Sequence, residues 1–396
     1  MATYRSPGDY SHFVQEEATY GTSPGALAGA DAFRSRTASL FSQVVERRDR
    51  DMDGDGLHSV LSTQLGRTSG EFDTGECDVV PSGNAATPTA PDMDLFFKAH
   101  MGSRSAATAH TTLTSGSTTT LLKFTAGGVA SSGVAVGQLI AVEVTVGVYE
   151  VRQVTLIATD DVTVHLALSG APATGRAVKT GVTYSINGSV LGSLFLWEFL
   201  GAGNNFRQSM GGAIPQEMKL ACDFTQSTPV QSCQFSGAGK IPDSQTTTTY
   251  PTPTTAGLPL VPTDSKVWVG ANTHCITKYS LTSNNGATTR NMESCSLQPT
   301  GVVRTENNGR WDVQLELSFI EHDTNTEAYF HAAKALTPGR DVLLQIGSTV
   351  GSSMAIRCPN WIPDAKDGEE SGLSSLDFSG RCYGTTGSDE FSVFFW

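Results

Sequence analysis

The sequence predicts a mainly β protein: two tandem β-rich modules, each with one short α-helix, and a small β-domain inserted into the first. Three observations carry this expectation. Charged residues are only 16% of the 396, against roughly 25% in ordinary soluble domains. Gly (41), Ser and Thr stand in their place, which suits strands and turns better than helices whose exposed faces need Glu and Lys. Finally, four short sequence echoes occur in the same order in two halves of the chain, with a long extra stretch between two of them in the first half.

Along the chain, the residues to Thr22 are polar and read as an extended arm. Thr37–Arg48 alternates like a strand, an Asp/Gly cluster at Asp49–Gly56 reads as a turn, and two strand-like runs follow at Leu57–Leu65 and Gly70–Val80. A Pro/Thr loop then leads to a helix capped by Asp92, with Leu95, Phe96, Ala99 and His100 as its apolar stripe up to Met101. From Gly102 the texture turns to Ser, Thr, Ala and Val. Val134–Thr145, Tyr149–Ile157, Val162–Leu168 and Ala177–Tyr184 read as short strands of a small sandwich or barrel. Ser189–Leu200 is apolar and aromatic again. Ile241–Pro262, rich in Thr and Pro, reads as a linker. Asp264–Trp396 supplies further strands, a helix at Thr326–Leu336 and a closing strand at Glu390–Trp396.

The echoes define the modules. Gly70-Glu71-Phe72-Asp73 matches Gly309-Arg310-Trp311-Asp312, and the DLFFKAHM segment around Lys98 matches AYFHAAKAL around Lys334. Met218-Lys219-Leu220-Ala221-Cys222 matches Met354-Ala355-Ile356-Arg357-Cys358, and Phe235-Ser236-Gly237 matches Phe378-Ser379-Gly380. Between the second and third echoes the first half is about 100 residues longer, which locates the insertion. The expected domains are 1–102 with 188–240 as the first module, 103–187 as the insertion, 241–262 as the linker and 263–396 as the second module. Two matched modules make each chain a pseudo-dimer, so an even ring needs half as many chains.

Charge excludes some functions. Lys+Arg is 26 against Asp+Glu 39, a net −13, and an acidic surface repels phosphate backbones. No apolar run approaches the roughly 18 residues of a membrane span. MATYRSPGDYSHF has no apolar signal region, so the seven cysteines (77, 222, 233, 275, 295, 358, 382), which include no C-x-x-C pair, are expected as free thiols.

No catalytic, cofactor-binding or metal-binding set emerges, and the chain is read as a non-enzyme. Asp51-x-Asp53-x-Asp55-Gly56 begins like a calcium loop, but Ser62 stands where a bidentate Glu is required. Gly21-Thr22-Ser23-Pro24-Gly25 fits a nucleophile elbow only formally, because neither an apolar strand nor a helix flanks it. Gly201-Ala202-Gly203 lacks the third glycine of a dinucleotide loop, Phe206 taking its place. Glu321-His322-Asp323 puts its side chains at adjacent positions, which rarely converge on a metal. The aromatic runs Leu194–Phe199 and Phe391–Trp396 read as core or a subunit seam.

With the repeats in view, the chain resembles the tail tube proteins of tailed bacteriophages with long flexible tails. The resemblance rests on Glu16-Glu17-Ala18-Thr19-Tyr20-Gly21-Thr22, similar to the E-x-x-Y-G-T segment of such proteins. It also rests on the order of elements from Gly70 to Met101 and from Gly309 to Trp396, ending in Gly387–Phe395. It implies β-sandwich modules whose inner sheets join into a closed barrel. Duplication then gives a homotrimeric ring of pseudo-sixfold symmetry, stacked through the N-terminal arm and hairpin loops at Asp49–Gly56 and Thr282–Arg290. Such a virion protein, assembled in the host cytoplasm, has itself, the tape measure, the tail terminator and tail-tip proteins as partners, no cofactor, and DNA as passing cargo. The alternative is a tail-tip or fibre-type receptor- or glycan-binding β-protein using 103–187. That segment holds Tyr149 and His165 as its stacking rings, a poor supply for a sugar platform.

Overall fold

The computed structural model describes residues 10–37, 39–50, 61–81, 90–106, 109–188, 192–200, 206–245, 251–254, 257–290, 296–304, 310–319, 339–370, 373–385 and 387–396. The protein is mainly β. The first half runs β1 (Tyr10–Glu16), β2 (Ala32–Phe33), β3 (Phe41–Arg50), β4 (Leu61–Asp73), β5 (Cys77–Asp78), α1 (Asp94–Met101) and β6 (Gly102–Ala106). Then come β7 (Thr111–Thr112), β8 (Leu121–Lys123), α2 (Gly128–Ser132), β9 (Leu139–Thr145), β10 (Val148–Ala158), β11 (Asp161–His165) and β12 (Ala177–Lys179). β13 (Val182–Ile186), β14 (Leu194–Leu200), β15 (Phe206–Asp223), β16 (Ser232–Gly239) and β17 (Asp243–Gln245) complete it. The second half has β18 (Lys266–Val269), β19 (Asn272–His274), β20 (Lys278–Asn284), β21 (Ala287–Arg290), β22 (Gly301–Arg304) and β23 (Asp312–Phe319). It ends with β24 (Arg340–Ile346), β25 (Met354–Glu370), β26 (Leu373–Cys382) and β27 (Ser392–Phe395).

The pairing order of the first half recurs in the second. β3 pairs β4, β4 pairs β16, and β16 pairs the distal part of β15. Likewise β20 pairs β23, β23 pairs β26, and β26 pairs the distal part of β25. The proximal parts of the two long strands enter a second sheet, as β2-β1-β14-β15-β17 in one half and β19-β18-β24-β25-β27 in the other. The two halves meet where β15 pairs β20, so eight strands form one sheet in the order β3-β4-β16-β15-β20-β23-β26-β25. The main core lies between this sheet and the second pair of sheets, with Phe96 and Phe97 of α1 packed into it.

Only some of the sequence echoes mark matching positions. Gly237 lies opposite both Pro215 and Phe72, and Gly380 opposite both Pro363 and Leu315. A Cβ at Gly237 would strike the Ile214 carbonyl, and one at Gly380 would strike the Ile362 carbonyl. Both glycines admit the close approach of a long strand as it crosses between sheets, which is a physical reason for the shared Phe-Ser-Gly. Met218–Cys222, by contrast, lies on distal β15, whereas Met354–Cys358 lies on proximal β25 beside β24 and β27. The motif misled because a strand buried on alternate positions reads the same in either sheet. Phe72 corresponds to Leu315 rather than to Trp311, so this echo is out of register.

The inserted strands form a sheet in the order β7-β12-β9-β10-β11-β8. The Leu113–Phe124 bridge, with Thr114 N–H to the Lys123 carbonyl at 2.7 Å, brings β8 back to β7 and closes a barrel. Leu122, Phe124, Ile140, Val142, Val154, Val162, Val164 and Val178 fill its interior. The barrel spans 111–179, narrower than the expected 103–187, because β6 and β13 leave it and pair with each other and, through β13, with β27. The run Ala177–Tyr184, expected as one strand, therefore breaks at Thr180–Gly181. At Gly181 a Cβ would strike the Phe395 carbonyl.

Other local expectations also shift. Asp92 does not cap α1; it pairs with Arg34 at 3.6 Å, and the helix starts at Asp94 after Met93, ending at Gly102 in the left-handed region (φ 85°). The short α2 was not foreseen. Leu260, inside the expected linker, is fully buried, its N–H bonded to the Val79 carbonyl at 2.8 Å. Thr282–Arg290 is a strand arm rather than a loop tip, since β20 and β21 pair β23 and β22. The helix expected at Thr326–Leu336 lies outside the described residues. The six described cysteines are free.

Candidate functional site

The most distinctive surface is the eight-strand sheet, because its two faces differ completely. Toward the core it presents Phe72, Phe235, Met218, Leu220, Leu281, Leu315, Leu317 and Phe378. On the other face, at alternate positions, Glu71, Asp73, Glu217, Asp223, Glu316 and Asp377 stand against Lys219, Lys278 and Arg381, all at least partly exposed. Cross-strand bonds organise this face. Gln234 donates to both Asp73 oxygens (2.9 and 3.0 Å), and Arg381 pairs with Asp312 at 2.9 Å.

The seam between the halves is a built junction. His100 of α1 is fully buried; its Nδ1 donates to the Pro215 carbonyl (3.1 Å) and its Nε2 accepts from Ser283 Oγ (3.1 Å). Asn285 Nδ2 donates to the same Pro215 carbonyl (2.9 Å), and the Trp311 ring stands edge-on to His100 at 5.1 Å. Burial lowers the His100 pKa to about 4, helped by the nearby Arg304 charge and opposed by the Pro215 bond. The imidazole is therefore neutral at pH 7.

The edges of the sheet are the second feature. β15 pairs on one side with β16 and on the other with β20. Distal β25, its counterpart, pairs β26, and β3, the counterpart of β20, pairs β4. Among the described residues no strand takes the other edge of β3 or of distal β25. Unpaired backbone edges of this kind are templates for another strand.

The E-x-x-Y-G-T segment forms a clamp. Glu17 accepts bonds from the Gly21 N–H (2.8 Å), the Gly212 N–H (2.8 Å) and Ser193 Oγ (2.6 Å). Gly212 sits at φ +65° with the Tyr20 ring where a Cβ would be, and the Lys240 ammonium lies 5.6 Å over that ring. The motif thus ties the arm to the β14–β15 bend.

The residues singled out for chemistry do not converge. Ser23 lies in an exposed loop. Asp51–Gly56, Gly201–Gly203 and Glu321–Asp323 lie outside the described residues. Among the described residues no three His, Cys, Asp or Glu side chains form a metal-binding group, and no helix is long and apolar enough to cross a membrane. The aromatic runs are packed: Leu194 and Leu196 join the main core, and Phe391, Val393 and Phe395 do the same. Sequence reasoning missed the His100 seam and the buried Glu198. Only their place on otherwise apolar stripes hinted at either. The chain matches none of the protein-family models and none of the curated proteins compared with it.

Proposed function

We propose that this chain is the subunit of a tail tube of a long-tailed, flexible-tailed bacteriophage. Three copies, each of two duplicated modules, close into a ring of pseudo-sixfold symmetry, and rings stack into the conduit through which DNA enters the host. One observation carries the reading: the two halves are joined edge to edge by β15–β20, and among the described residues no strand pairs with the equivalent edges at the ends of the sheet. Repeating the internal seam between copies closes the sheet and removes its edges.

The two faces support the same reading. A closed ring with the polar face inward lines its lumen with Glu71, Asp73, Glu217, Asp223, Glu316 and Asp377. Like charge to DNA avoids counterion-release binding and lets the cargo slide. The barrel packs on the far side of the β24–β25 sheet, through Leu139, Ala141 and Val151 against Trp268, Leu343 and Phe394, so it lies on the outside of such a ring. The tape measure, terminator and tail-tip proteins would be its partners, in a virion tail assembled in the host cytoplasm. The function is structural, with no catalytic step. The receptor- or glycan-binding alternative gains little, because the barrel interior is filled by apolar side chains, Phe124 the one aromatic among those described.

Negative-stain electron microscopy at rising protein concentration tests the proposal. Hollow rings or tubes with six internal lobes and three peripheral knobs are the expected outcome. Solid monomeric particles at every concentration, also in the presence of a tail-tip initiator complex, would refute it.

A further inference from the structure

The internal seam fixes a register that can be transferred to the open edges. In it, Met218 lies opposite Ser283, Lys219 opposite Thr282 and Leu220 opposite Leu281. Phe72 and Leu315 are equivalent, each lying opposite the glycine of Phe-Ser-Gly. Their partners on the next strand are Phe41 and Leu281, so Phe41 holds in β3 the place of Leu281 in β20. On the other strand, Phe235 lies opposite Met218 and Phe378 opposite Ala365. Ala365, Lys366 and Asp367 therefore hold the places of Met218, Lys219 and Leu220. Counting from this pair lies beyond the bulge that follows Pro215, so its extra residue does not enter.

We infer that distal β25 pairs antiparallel with β3 of a second copy of this chain, with Ala365 opposite Gln43, Lys366 opposite Ser42 and Asp367 opposite Phe41. This inference rests on the ring reading above and adds to it a specific register. The hydrogen-bond phase follows from the same template. Phe224 N–H bonds the Thr277 carbonyl at 2.8 Å, and Asn285 N–H bonds the Gln216 carbonyl at 3.0 Å. Hydrogen-bonded pairs thus fall at even positions of β15, and Lys219–Thr282 is a non-hydrogen-bonded pair. The equivalent Lys366–Ser42 pair brings its Cα atoms to about 4.5 Å, within the roughly 4.4–6.8 Å that a disulfide spans.

The test is disulfide trapping in a Cys275→Ser, Cys295→Ser background that keeps the buried thiols. Ser42→Cys with Lys366→Cys, oxidised by air with a copper catalyst, is compared with Val44→Cys plus Lys366→Cys, which reports a slide of two residues. Covalent dimers and trimers forming at least tenfold faster in the 42/366 variant support the register. Rings that form without this bond, or that trap 44/366 preferentially, overturn the register and leave the ring reading standing. Absence of both bonds together with monomeric wild-type particles overturns both. Hydrogen exchange on the assembled wild-type protein covers the case of a variant that does not fold. Protection gained on assembly should centre on the amides of Phe41, Gln43, Ala365 and Asp367, and unchanged exchange there refutes the pairing.

Discussion

The outer sheets of the two halves solve one problem in two ways. Each has an apolar face turned away from the main core, and each half covers it with a different part of the chain. In the first half Phe13, Ala32, Trp197 and Phe199, all on the sheet, lie under Leu27 from the segment between β1 and β2. In the second, Trp268, Leu343, Ala355 and Phe394 lie under the barrel. The arm is held by a clamp on Glu17, which reaches Ser193 and Gly212, whereas the barrel is held by side chains of β24. Gln345 donates to the Tyr149 carbonyl (2.9 Å) and accepts from the Val151 N–H (3.0 Å), and Asp341 pairs with His165 at 2.9 Å and also with Arg357.

A buried glutamate in each region makes the contrast sharper. Glu150, at the barrel interface, pairs with Arg152 (2.8 Å) and Lys266 (3.5 Å) and accepts the Ser169 N–H (3.0 Å). Burial pushes its pKa up, but these bonds and charges outweigh burial and hold it below the usual value. Glu198, on β14, accepts the Leu40 N–H (2.6 Å) with one oxygen, and the other has no hydrogen-bond partner among the described residues. Burial dominates there and raises its pKa to about 7. Two carboxylates of equal burial thus differ because only one has cations beside it.

The largest effect is expected from Arg152→Met. It removes the bonds to Glu150, Val151 and Ala167 and the stacking on Trp268 at 4.6 Å, and it strips Glu150 of its nearest cation. A stability loss of about 3–5 kcal/mol in urea unfolding at pH 7 is expected. A loss under about 1 kcal/mol would break the comparison by showing that the interface does not depend on the pair.

Glu198→Gln should act in the opposite direction. The carboxyl titrates at 4.5 when unfolded and about 7 when folded, so the folded state binds more protons between those values. The stability it contributes is complete below pH 4.5 and falls as pH rises through 7. The variant should therefore be about 2 kcal/mol more stable than the wild type at pH 8, with the gap closing below pH 4.5. A gap independent of pH would assign the effect to packing instead.

The smallest effect is expected for Glu17→Gln, about 1 kcal/mol, because a neutral acceptor replaces a charged one at a half-exposed site. Faster hydrogen exchange at Gly21 and Gly212, with the Val151 amide unchanged, would show that the two covers come loose independently. Coupled changes at both would join the regions that the comparison separates.

Much of the local structure was legible. Alternation located β9, β10 and β11, and the DLFFKAHM stripe located α1, although Phe97 rather than Leu95 became its buried residue. The echoes were legible too, but two of them proved to be out of register. Met-x-[Leu/Ile]-x-Cys describes any strand buried on one face, and such a pattern does not name its neighbour. Phe-Ser-Gly held because its glycine answers a steric demand, the passage of a long strand across the sheet.

The amino-acid sequence by itself determined which segments extend, which residues of each turn inward and where glycine is obligatory, since period-two alternation and a missing Cβ act within a few residues. It did not determine that β15 joins β20, that β6 and β13 leave the barrel for β27, or that carboxylates of several strands share one face. Those facts depend on partners far apart in the chain. A strand's alternation says which side is buried, and only the neighbouring strands decide what it is buried against and which of its edges stays open.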